Sequence, residues 1–222
     1  MITEDSIKQF PIFMFYFCAT RLTSGITLQC YHFSIMKRAA FVLAGGKSSR
    51  MGRDKALLPF KGRPLVELIA TQACAAAGNI TLIGDPGRYT YLGYPVVEDI
   101  LSGCGPLAGI YTALTVTQAE WNLIVACDMP EVTAEFLARL MDRAEAGGAD
   151  AVLPVSSDGL PQPLCAAYRR RCADAIGRAL AQGIRKVTDG LVTLELDLWR
   201  VPHSPYFRNL NTALEWARYS HD

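Results

Sequence analysis

Residues 43–55 read L-A-G-G-K-S-S-R-M-G-R-D-K and follow an apolar run, residues 39–43, that is typical of a buried strand. A glycine-rich turn after such a strand lets backbone N–H groups approach a ligand where a Cβ atom would block them. The loop also carries four cations and one acid, which are Lys47, Arg50, Arg53, Lys55 and Asp54. Backbone donors combined with clustered cations suit a polyphosphate ligand.

Two common phosphate-binding loops do not fit this stretch. The P-loop needs a glycine five residues before Gly46, where this chain has Phe41. The G-x-G-x-x-G fingerprint of dinucleotide-binding folds needs separated glycines, whereas Gly45 and Gly46 are adjacent. A Gly-Gly pair alone is as often a plain connection as a binding loop, so the rest of the string has to carry the interpretation.

The whole string resembles the signature L-A-G-G-x-S-x-R-M-G-x-D-K of the molybdenum cofactor guanylyltransferases, which belong to the wider nucleotidyltransferase superfamily. The resemblance continues through residues 56–59, A-L-L-P, and residues 62–65, G-R-P-L. It implies a Rossmann-like fold. It is strongest at residues 43–65, 98–109 and 126–130 and extends over residues 38–212.

Composition and charge favour a globular protein with a small anionic ligand. Half of the 222 residues are hydrophobic and 19% are charged, so disorder is excluded as the overall state. The net charge of +1 conceals an uneven distribution, because residues 37–63 contain eight Lys and Arg but one acid. Nucleic-acid binders spread basic residues over a broad face, whereas here they are confined to one loop region. We therefore expect no nucleic-acid partner.

The seven cysteines indicate neither a disulfide framework nor a zinc site, because their number is odd and no C-x-x-C pair occurs. Free cysteines among apolar neighbours are typical of a reducing compartment, so we expect a cytoplasmic protein.

Residues 1–36 differ from the rest of the chain. The apolar residues 10–19 are too short to span a bilayer, which needs about 20 residues, so we expect no membrane partner. A signal peptide fits poorly, because the start carries Glu4 and Asp5 in place of basic residues. We interpret the segment as an N-terminal extension, either a mis-assigned start before Met36 or a disordered arm, and residues 37–222 as one nucleotidyltransferase domain.

Strands and helices alternate from residue 38 onward, which predicts an α/β fold: a single-domain, mostly parallel twisted sheet with helices on both faces. Strands are predicted at residues 38–43, 80–84, 95–98, 122–127, 149–155, 162–167 and 191–196. Helices are predicted at residues 64–77, 106–117, 133–146 and 169–182, with a short one from Thr212, and a turn at residues 84–87.

Three chemical groups follow predicted strands and are therefore expected at the carboxyl-end edge, where open parallel sheets bind ligands. They are the Gly45-Gly46 loop, Asp99 and Asp128. A carboxylate that closes an apolar strand suits Mg²⁺, which takes one or two carboxylates together with phosphate oxygens and water. The alternatives are that Asp128 only caps the next helix or forms a turn, and that Asp99 is part of a solvated acidic corner.

The resemblance assigns roles to these positions. Residues 127–130, C-D-M-P, are similar to the family's C-D-x-P element, whose Asp holds Mg²⁺, and residues 105–109 match its G-P-L-A-G loop. The implied nucleotide-binding residues are Leu43, Ala44, Gly45, Gly46, Lys55, Asp99, Gly105 and Asp128. Some members have an Asn after the second strand, where this chain has Gly84-Asp85.

Near the C-terminus, residues 209–213, N-L-N-T-A, resemble the family's N-x-N-T-P segment with Ala213 in place of Pro. The resemblance implies that Asn209 and Asn211 face a pterin substrate. An Asn/Thr helix cap explains the same residues equally well.

The resemblance implies transfer of GMP from GTP to molybdenum-bearing molybdopterin, with pyrophosphate as the second product. A phosphate oxygen is already an anionic nucleophile, and no Ser-His-Asp or Cys-His arrangement is visible in the sequence. Catalysis would therefore consist of positioning and charge neutralisation by Arg50, Lys55 and Asp128 with Mg²⁺. A CTP-using or sugar-phosphate transferase and a non-catalytic nucleotide-binding delivery module are the alternatives. The opening L-A-G-G favours guanine, since cytidine-using relatives often read L-A-A-G. Molybdoenzymes or cofactor-delivery proteins would receive the product.

Overall fold

A seven-stranded β-sheet runs through the centre of the structure, a computed structural model that describes residues 37–45, 54–202 and 205–207. All of these residues belong to one compact unit. The strands are β1 (Arg38–Leu43), β2 (Pro59–Phe60), β3 (Arg63–Pro64), β4 (Thr81–Ile83), β5 (Val96–Val97), β6 (Trp121–Ala126), β7 (Ala151–Val155), β8 (Cys165–Arg169) and β9 (Leu196–Arg200). The helices are α1 (Leu65–Ala77), α2 (Pro86–Tyr89), α3 (Pro106–Val116), α4 (Ala134–Ala146), α5 (Cys172–Ala181) and α6 (Val187–Gly190).

The sheet is mostly parallel, as predicted. Its strand order is β5-β4-β1-β6-β8-β7-β9, and β2 and β3 form a separate antiparallel hairpin. β8 runs antiparallel to both of its neighbours, whereas the other adjacent pairs in the large sheet are parallel. The order places the chain's earlier strands on one half of the sheet and the later ones on the other.

The register of the sheet brings four strand ends level. Leu43, the last residue of β1, lies opposite both Ile83 at the end of β4 and Ala126 at the end of β6. Ile83 in turn lies opposite Val97 at the end of β5. Since these strands are parallel, the residues that follow them lie along one edge of the sheet.

Helices cover both faces of the sheet, which explains why β1 is apolar throughout. Ala40 and Val42 of β1 pack in one cluster with residues of α1 and α4, such as Ile69 and Leu137. Phe41 and Leu43 point to the opposite face, where they pack with residues of α3 and α5. The two-sided burial confirms the predicted three-layer α/β architecture.

Local signals set several helix ends as predicted. α1 ends at Gly78, whose φ of +81° is the left-handed conformation that glycine adopts without steric cost. α3 begins with Pro106 in its first turn, a position where the missing N–H costs nothing. The hydroxyl of Thr133 accepts a hydrogen bond of 3.3 Å from the Phe136 N–H and so caps α4.

The predicted strand at residues 191–196 is wrong. A hydrogen bond of 3.0 Å from the Leu194 N–H to the Leu191 carbonyl closes a turn there, and β9 begins only at Leu196. Leu191 and Leu194 pack from this turn against the cluster beneath α3 and α5, so their apolar character reflects core packing and not a strand period.

Several smaller boundaries also differ from prediction. The strand predicted at residues 162–167 is β8, which runs from Cys165 to Arg169. Helix α5 begins at Cys172, because Arg169 still pairs with Trp121 as the last residue of β8. The predicted turn at residues 84–87 continues into the short helix α2, which the Asp85 side chain caps by accepting from the Gly87 N–H at 2.8 Å.

No helix within the described ranges is both long enough and apolar enough to cross a membrane. The extension at residues 1–36 and the helix predicted from Thr212 lie outside the described residues, and both stay predictions.

Candidate active site

The carboxyl-end edge of the sheet is held together by backbone hydrogen bonds that continue past the strands. The Ala44 N–H donates to the Ile83 carbonyl at 2.9 Å, and the Gly84 N–H donates to the Val97 carbonyl at 2.9 Å. The Cys127 N–H likewise donates to the Leu43 carbonyl at 3.3 Å. The predicted site residues that follow β1, β5 and β6 therefore start from a rigid frame.

Asp99, two residues after β5, places its carboxylate between two glycines. A Cβ atom added to Gly45 would lie 3.6 Å from Oδ2 of Asp99, and one added to Gly109 would lie 3.6 Å from Oδ1. The absence of side chains at Gly45 and Gly109 leaves the carboxylate accessible between β1 and α3. This arrangement argues against a merely solvated acidic corner.

Thr112 of α3 fixes the orientation of Asp99. Its hydroxyl donates to Oδ1 of Asp99 at 3.4 Å and accepts from the Ile100 N–H at 3.0 Å. Burial raises the pKa of the Asp99 carboxyl, and the hydrogen bond from Thr112 opposes that rise. The site thus holds a half-buried acceptor that hydrogen-bond donors of a ligand can stabilise.

Gly105 lies directly before the first turn of α3. Its φ of +76° lies in the region that favours glycine, and nothing lies within 4 Å of the position a Cβ atom would take. The conformation, and not a lack of space, therefore requires glycine here. Gly105 is exposed and directly precedes α3, the helix whose Thr112 contacts Asp99.

Lys55 and Asp128 meet at the centre of the edge. Nζ of Lys55 lies 3.4 Å from Oδ2 of Asp128, and the two side chains are 16% and 27% exposed. Asp128 lies in the turn just after β6, and Lys55 begins a 3-10 helix, Lys55–Leu57, on the far side of the glycine-rich loop. The structure therefore brings together two of the three residues predicted to be catalytic.

Asp128 does not cap the following helix. Helix α4 begins at Ala134, and Thr133 supplies its cap. The capping alternative for Asp128 is therefore wrong, whereas the turn alternative describes the place of Asp128 after β6, where its carboxylate pairs with Lys55.

Two residues beside the site were not identified as functional from the sequence. Asp54 caps the 3-10 helix, because its Oδ1 accepts from the Ala56 N–H at 3.1 Å. The hydroxyl of Tyr89 donates to Oδ2 of Asp54 at 2.8 Å and lies 2.6 Å from the Ala44 carbonyl oxygen. Asp54 was visible as the one acid in a basic loop, but no signal in the sequence connects it to Tyr89.

Four predicted site residues lie outside the described residues: Gly46, Arg50, Asn209 and Asn211. Their assignments stay predictions. In the described part of the chain, no three His, Cys, Asp or Glu side chains form a cluster that could hold a metal ion by themselves.

Cys127 lies beside Asp128 but is unsuited to nucleophilic catalysis. Burial raises the pKa of its thiol to about 12, and the neighbouring carboxylate of Asp128 adds to the rise. The thiol is therefore protonated at neutral pH and is a poor nucleophile.

Comparison with known proteins identifies the family. The family model for the MobA-like NTP transferase domain matches residues 40–195. A protein from Flavobacterium johnsoniae named "Probable molybdenum cofactor guanylyltransferase" is 34% identical over 179 residues, which is 79% of this chain and 92% of that protein. One of the same name from Nostoc sp. is 33% identical over 183 residues, or 80% of this chain and 88% of that protein.

A solved structure has the same fold. Molybdopterin-guanine dinucleotide biosynthesis protein A from Archaeoglobus fulgidus superimposes with a TM-score of 0.70 at 28% identity, covering 82% of this chain and 97% of that one. Together with the family match, this confirms the predicted Rossmann-like nucleotidyltransferase fold. The chain belongs to the MobA-like NTP transferase family and is a nucleotidyltransferase.

Proposed function

We propose that this protein transfers GMP from GTP to the terminal phosphate of molybdenum-bearing molybdopterin, forming the guanine dinucleotide cofactor and pyrophosphate. The observation that carries the proposal is the pair of Lys55 and Asp128, 3.4 Å apart, on the same sheet edge as the Asp99 carboxylate between Gly45 and Gly109. The names of the relatives support the choice of GTP and molybdopterin as substrates.

The two halves of this edge suit the two parts of a nucleotide. Asp99 accepts hydrogen bonds, and the base and ribose of GTP offer N–H and O–H donors to it. Gly45 and Gly109 allow these groups to come close to the backbone. Lys55 then faces the triphosphate, where its ammonium offsets negative charge.

The reaction needs little covalent chemistry from the protein. An oxygen of the acceptor phosphate attacks the α-phosphorus of GTP, a new P–O bond forms, and the bond to the β-phosphate oxygen breaks with its electron pair leaving on pyrophosphate. No proton has to be removed from the attacking oxygen, because it is already ionised at neutral pH. Lys55 stabilises the charge on the α-phosphate and the leaving group, and we assign Arg50 the same task.

The residues present fit a magnesium ion held jointly by protein and substrate. Mg²⁺ commonly takes one or two carboxylates and completes its octahedron with phosphate oxygens and water. Asp128 would supply the carboxylate, since its Oδ1 makes no hydrogen bond with any described residue while Oδ2 contacts Lys55. When bound, the ion would neutralise charge on the phosphates.

An assay of pyrophosphate release tests the proposal. The substrates are GTP, CTP and a nucleoside triphosphate supplied with a sugar phosphate, each with and without molybdenum-loaded molybdopterin. Release that requires both GTP and the loaded molybdopterin is expected. Pyrophosphate release with CTP but not with GTP would show that the enzyme uses a cytosine nucleotide. Binding of GTP without pyrophosphate release would indicate a non-catalytic delivery module. Three further points stay predictions: transfer of the product to a molybdoenzyme or delivery protein, the pterin contacts of Asn209 and Asn211, and a cytoplasmic location.

A further inference from the structure

Tyr89, at the end of the short helix α2, connects the two ends of the glycine-rich loop. Its hydroxyl lies 2.6 Å from the carbonyl oxygen of Ala44, which opens the loop after β1. The same hydroxyl lies 2.8 Å from Oδ2 of Asp54, which directly precedes Lys55. A single side chain from outside the loop thus contacts both Ala44, directly after β1, and Asp54, directly before the 3-10 helix.

Asp54 transmits this contact to Lys55. Oδ1 of Asp54 accepts from the Ala56 N–H and so caps the 3-10 helix that Lys55 begins. Oδ2 of Asp54 accepts a hydrogen bond from the Tyr89 hydroxyl and forms an ion pair with Nη1 of Arg88 at 3.4 Å. Because the carboxylate is held from both sides, the backbone of Lys55 has a defined position relative to β1 and its side chain can reach Asp128.

The surroundings of Tyr89 show why this residue fits. The side chain is buried, at 2% exposure, and belongs to the core cluster beneath α1 and α4. Its ring packs against Gly84, where an added Cβ atom would lie 2.8 Å from Cε2 of the ring. Burial and the hydrogen bond to Asp54 raise the pKa of Tyr89 well above its ordinary value, so the hydroxyl remains a neutral donor at every pH of interest.

We propose that Tyr89 is a positioning residue for the nucleotidyl transfer: by joining Ala44 to Asp54 it sets the distance between the Lys55 ammonium and the phosphates held at Asp128. The contacts of its hydroxyl are with the Ala44 carbonyl oxygen and the Asp54 carboxylate. It acts through Asp54 and the 3-10 helix, and its removal leaves every group of the site present but the cation displaced. Displacement of a charged group by about 1 Å can cost about 100-fold in rate.

The test is a double-mutant cycle of Tyr89→Phe and Lys55→Ala, read as kcat/KM for pyrophosphate release. Tyr89→Phe keeps the ring against Gly84 and removes only the hydroxyl, so we expect the melting temperature to change little and kcat/KM to fall about 10- to 100-fold. In the Lys55→Ala background the same substitution should have an effect of less than about 2-fold, because the group that it positions is gone. Tyr91→Phe is the matched control, since Tyr91 is 71% exposed and lies two positions away.

Two results would overturn the role of Tyr89. One is a Tyr89→Phe variant with the turnover of the wild type. The other is a fall in kcat/KM on Tyr89→Phe that is equally large with and without Lys55→Ala, because a general destabilisation would act independently of Lys55. If Tyr89→Phe fails to fold, Asp54→Asn replaces it, because Asn keeps the cap and removes the charge. Asp54→Asn should then show the same lack of additivity with Lys55→Ala.

The role of Tyr89 rests on the proposed function, so the wild type is assayed beside the variants. A wild type that releases no pyrophosphate from GTP and loaded molybdopterin would contradict the proposed function, and the same cycle read as dissociation constants for magnesium-GTP would still test Tyr89. An active wild type with an equally active Tyr89→Phe variant would contradict only the role of Tyr89. A wild type that binds no nucleoside triphosphate would contradict both.

Discussion

At the scale of single residues, the site depends on charges that are distant in sequence and close in space. Lys55 and Asp128 are separated by 73 positions and by 3.4 Å. Asp99 is held by Thr112 and by the space that two glycines leave. Each of the three charged residues, Lys55, Asp99 and Asp128, can be tested by a substitution that removes its charge.

Lys55→Ala should lower turnover by about 100- to 1000-fold, the loss typical of removing one stabilising group from a phosphate or oxyanion site. The melting temperature should stay near that of the wild type, because the Lys55 side chain lies at the edge of the sheet and not in the core. Steady-state kinetics and thermal melts measure the two effects. Lys186→Ala removes a cation that is 72% exposed and should change neither.

Asp128→Asn should abolish most turnover and leave stability unchanged, with part of the activity recovered at raised Mg²⁺ or Mn²⁺. The amide is nearly isosteric with the carboxylate but is a much poorer ligand for a hard cation. Thr133→Ala should do the reverse, since it removes the cap of α4 at a cost of about 1 kcal/mol and leaves the site intact. Normal turnover of Asp128→Asn at ordinary Mg²⁺ would remove Asp128 from the site.

Asp99→Asn should weaken GTP binding and raise stability at neutral pH. Burial raises the folded-state pKa of Asp99 above its ordinary value of 3.8, so the folded protein holds this proton more tightly than the unfolded chain does. The contribution of Asp99 to stability is therefore most favourable at low pH and is lost as pH rises through the raised pKa. Melting temperatures of both proteins between about pH 4 and pH 7 should diverge as pH rises, and convergence toward pH 7 would contradict this reading.

At the scale of elements, the helices on one face are fitted to each other through glycine. Gly190 at the end of α6 approaches Leu107 of α3 so closely that an added Cβ atom would lie 2.6 Å from Cδ2 and 2.9 Å from Cδ1. Leu107 is fully buried and cannot move both methyl groups aside. This contact anchors α6 beneath the helix whose N-terminus forms part of the candidate site.

Gly190→Ala should therefore lower the free energy of unfolding by about 1–3 kcal/mol, the usual cost of overpacking a close-packed core. Gly148→Ala is the control, because nothing lies within 4 Å of its added Cβ atom and its φ is not in the left-handed region. That variant should be neutral or slightly more stable. Urea denaturation of the two variants compares them directly, and equal midpoints would show that α3 and α6 can adjust.

At the scale of the whole molecule, the candidate site draws residues from the ends of β1, β5 and β6, from the 3-10 helix Lys55–Leu57 and from the N-terminus of α3. A nucleotide bound there would stabilise all of these elements against unfolding at once. GTP with Mg²⁺ at 100 times its dissociation constant should add about 2.7 kcal/mol to the free energy of unfolding. The melting temperature should rise with GTP and less with CTP, and the Asp99→Asn variant should show a reduced rise; equal shifts with both nucleotides would argue against guanine selection.

Much of this fold is determined by local signals that the sequence carries openly. These signals act through sterics and hydrogen bonds within a few residues, so they do not depend on the tertiary fold. An apolar run marks β1, Gly78 ends α1, Pro106 begins α3 and Thr133 caps α4. The glycine-rich string after β1 and the acids after β5 and β6 were likewise visible as candidates, because strand ends in a parallel sheet share an edge.

Only the tertiary structure decided which of these groups meet and at what distance. Sheet register and packing between segments far apart in sequence determine three contacts. They are the 3.4 Å pair of Lys55 and Asp128, the placement of Asp99 between Gly45 and Gly109, and the hydrogen bonds of Tyr89. The misplaced strand has the same origin, since Leu191 and Leu194 are apolar because they meet a helix layer and not because they alternate along a strand. Contacts of this kind are selected by the packing of the whole core, which no window of sequence contains.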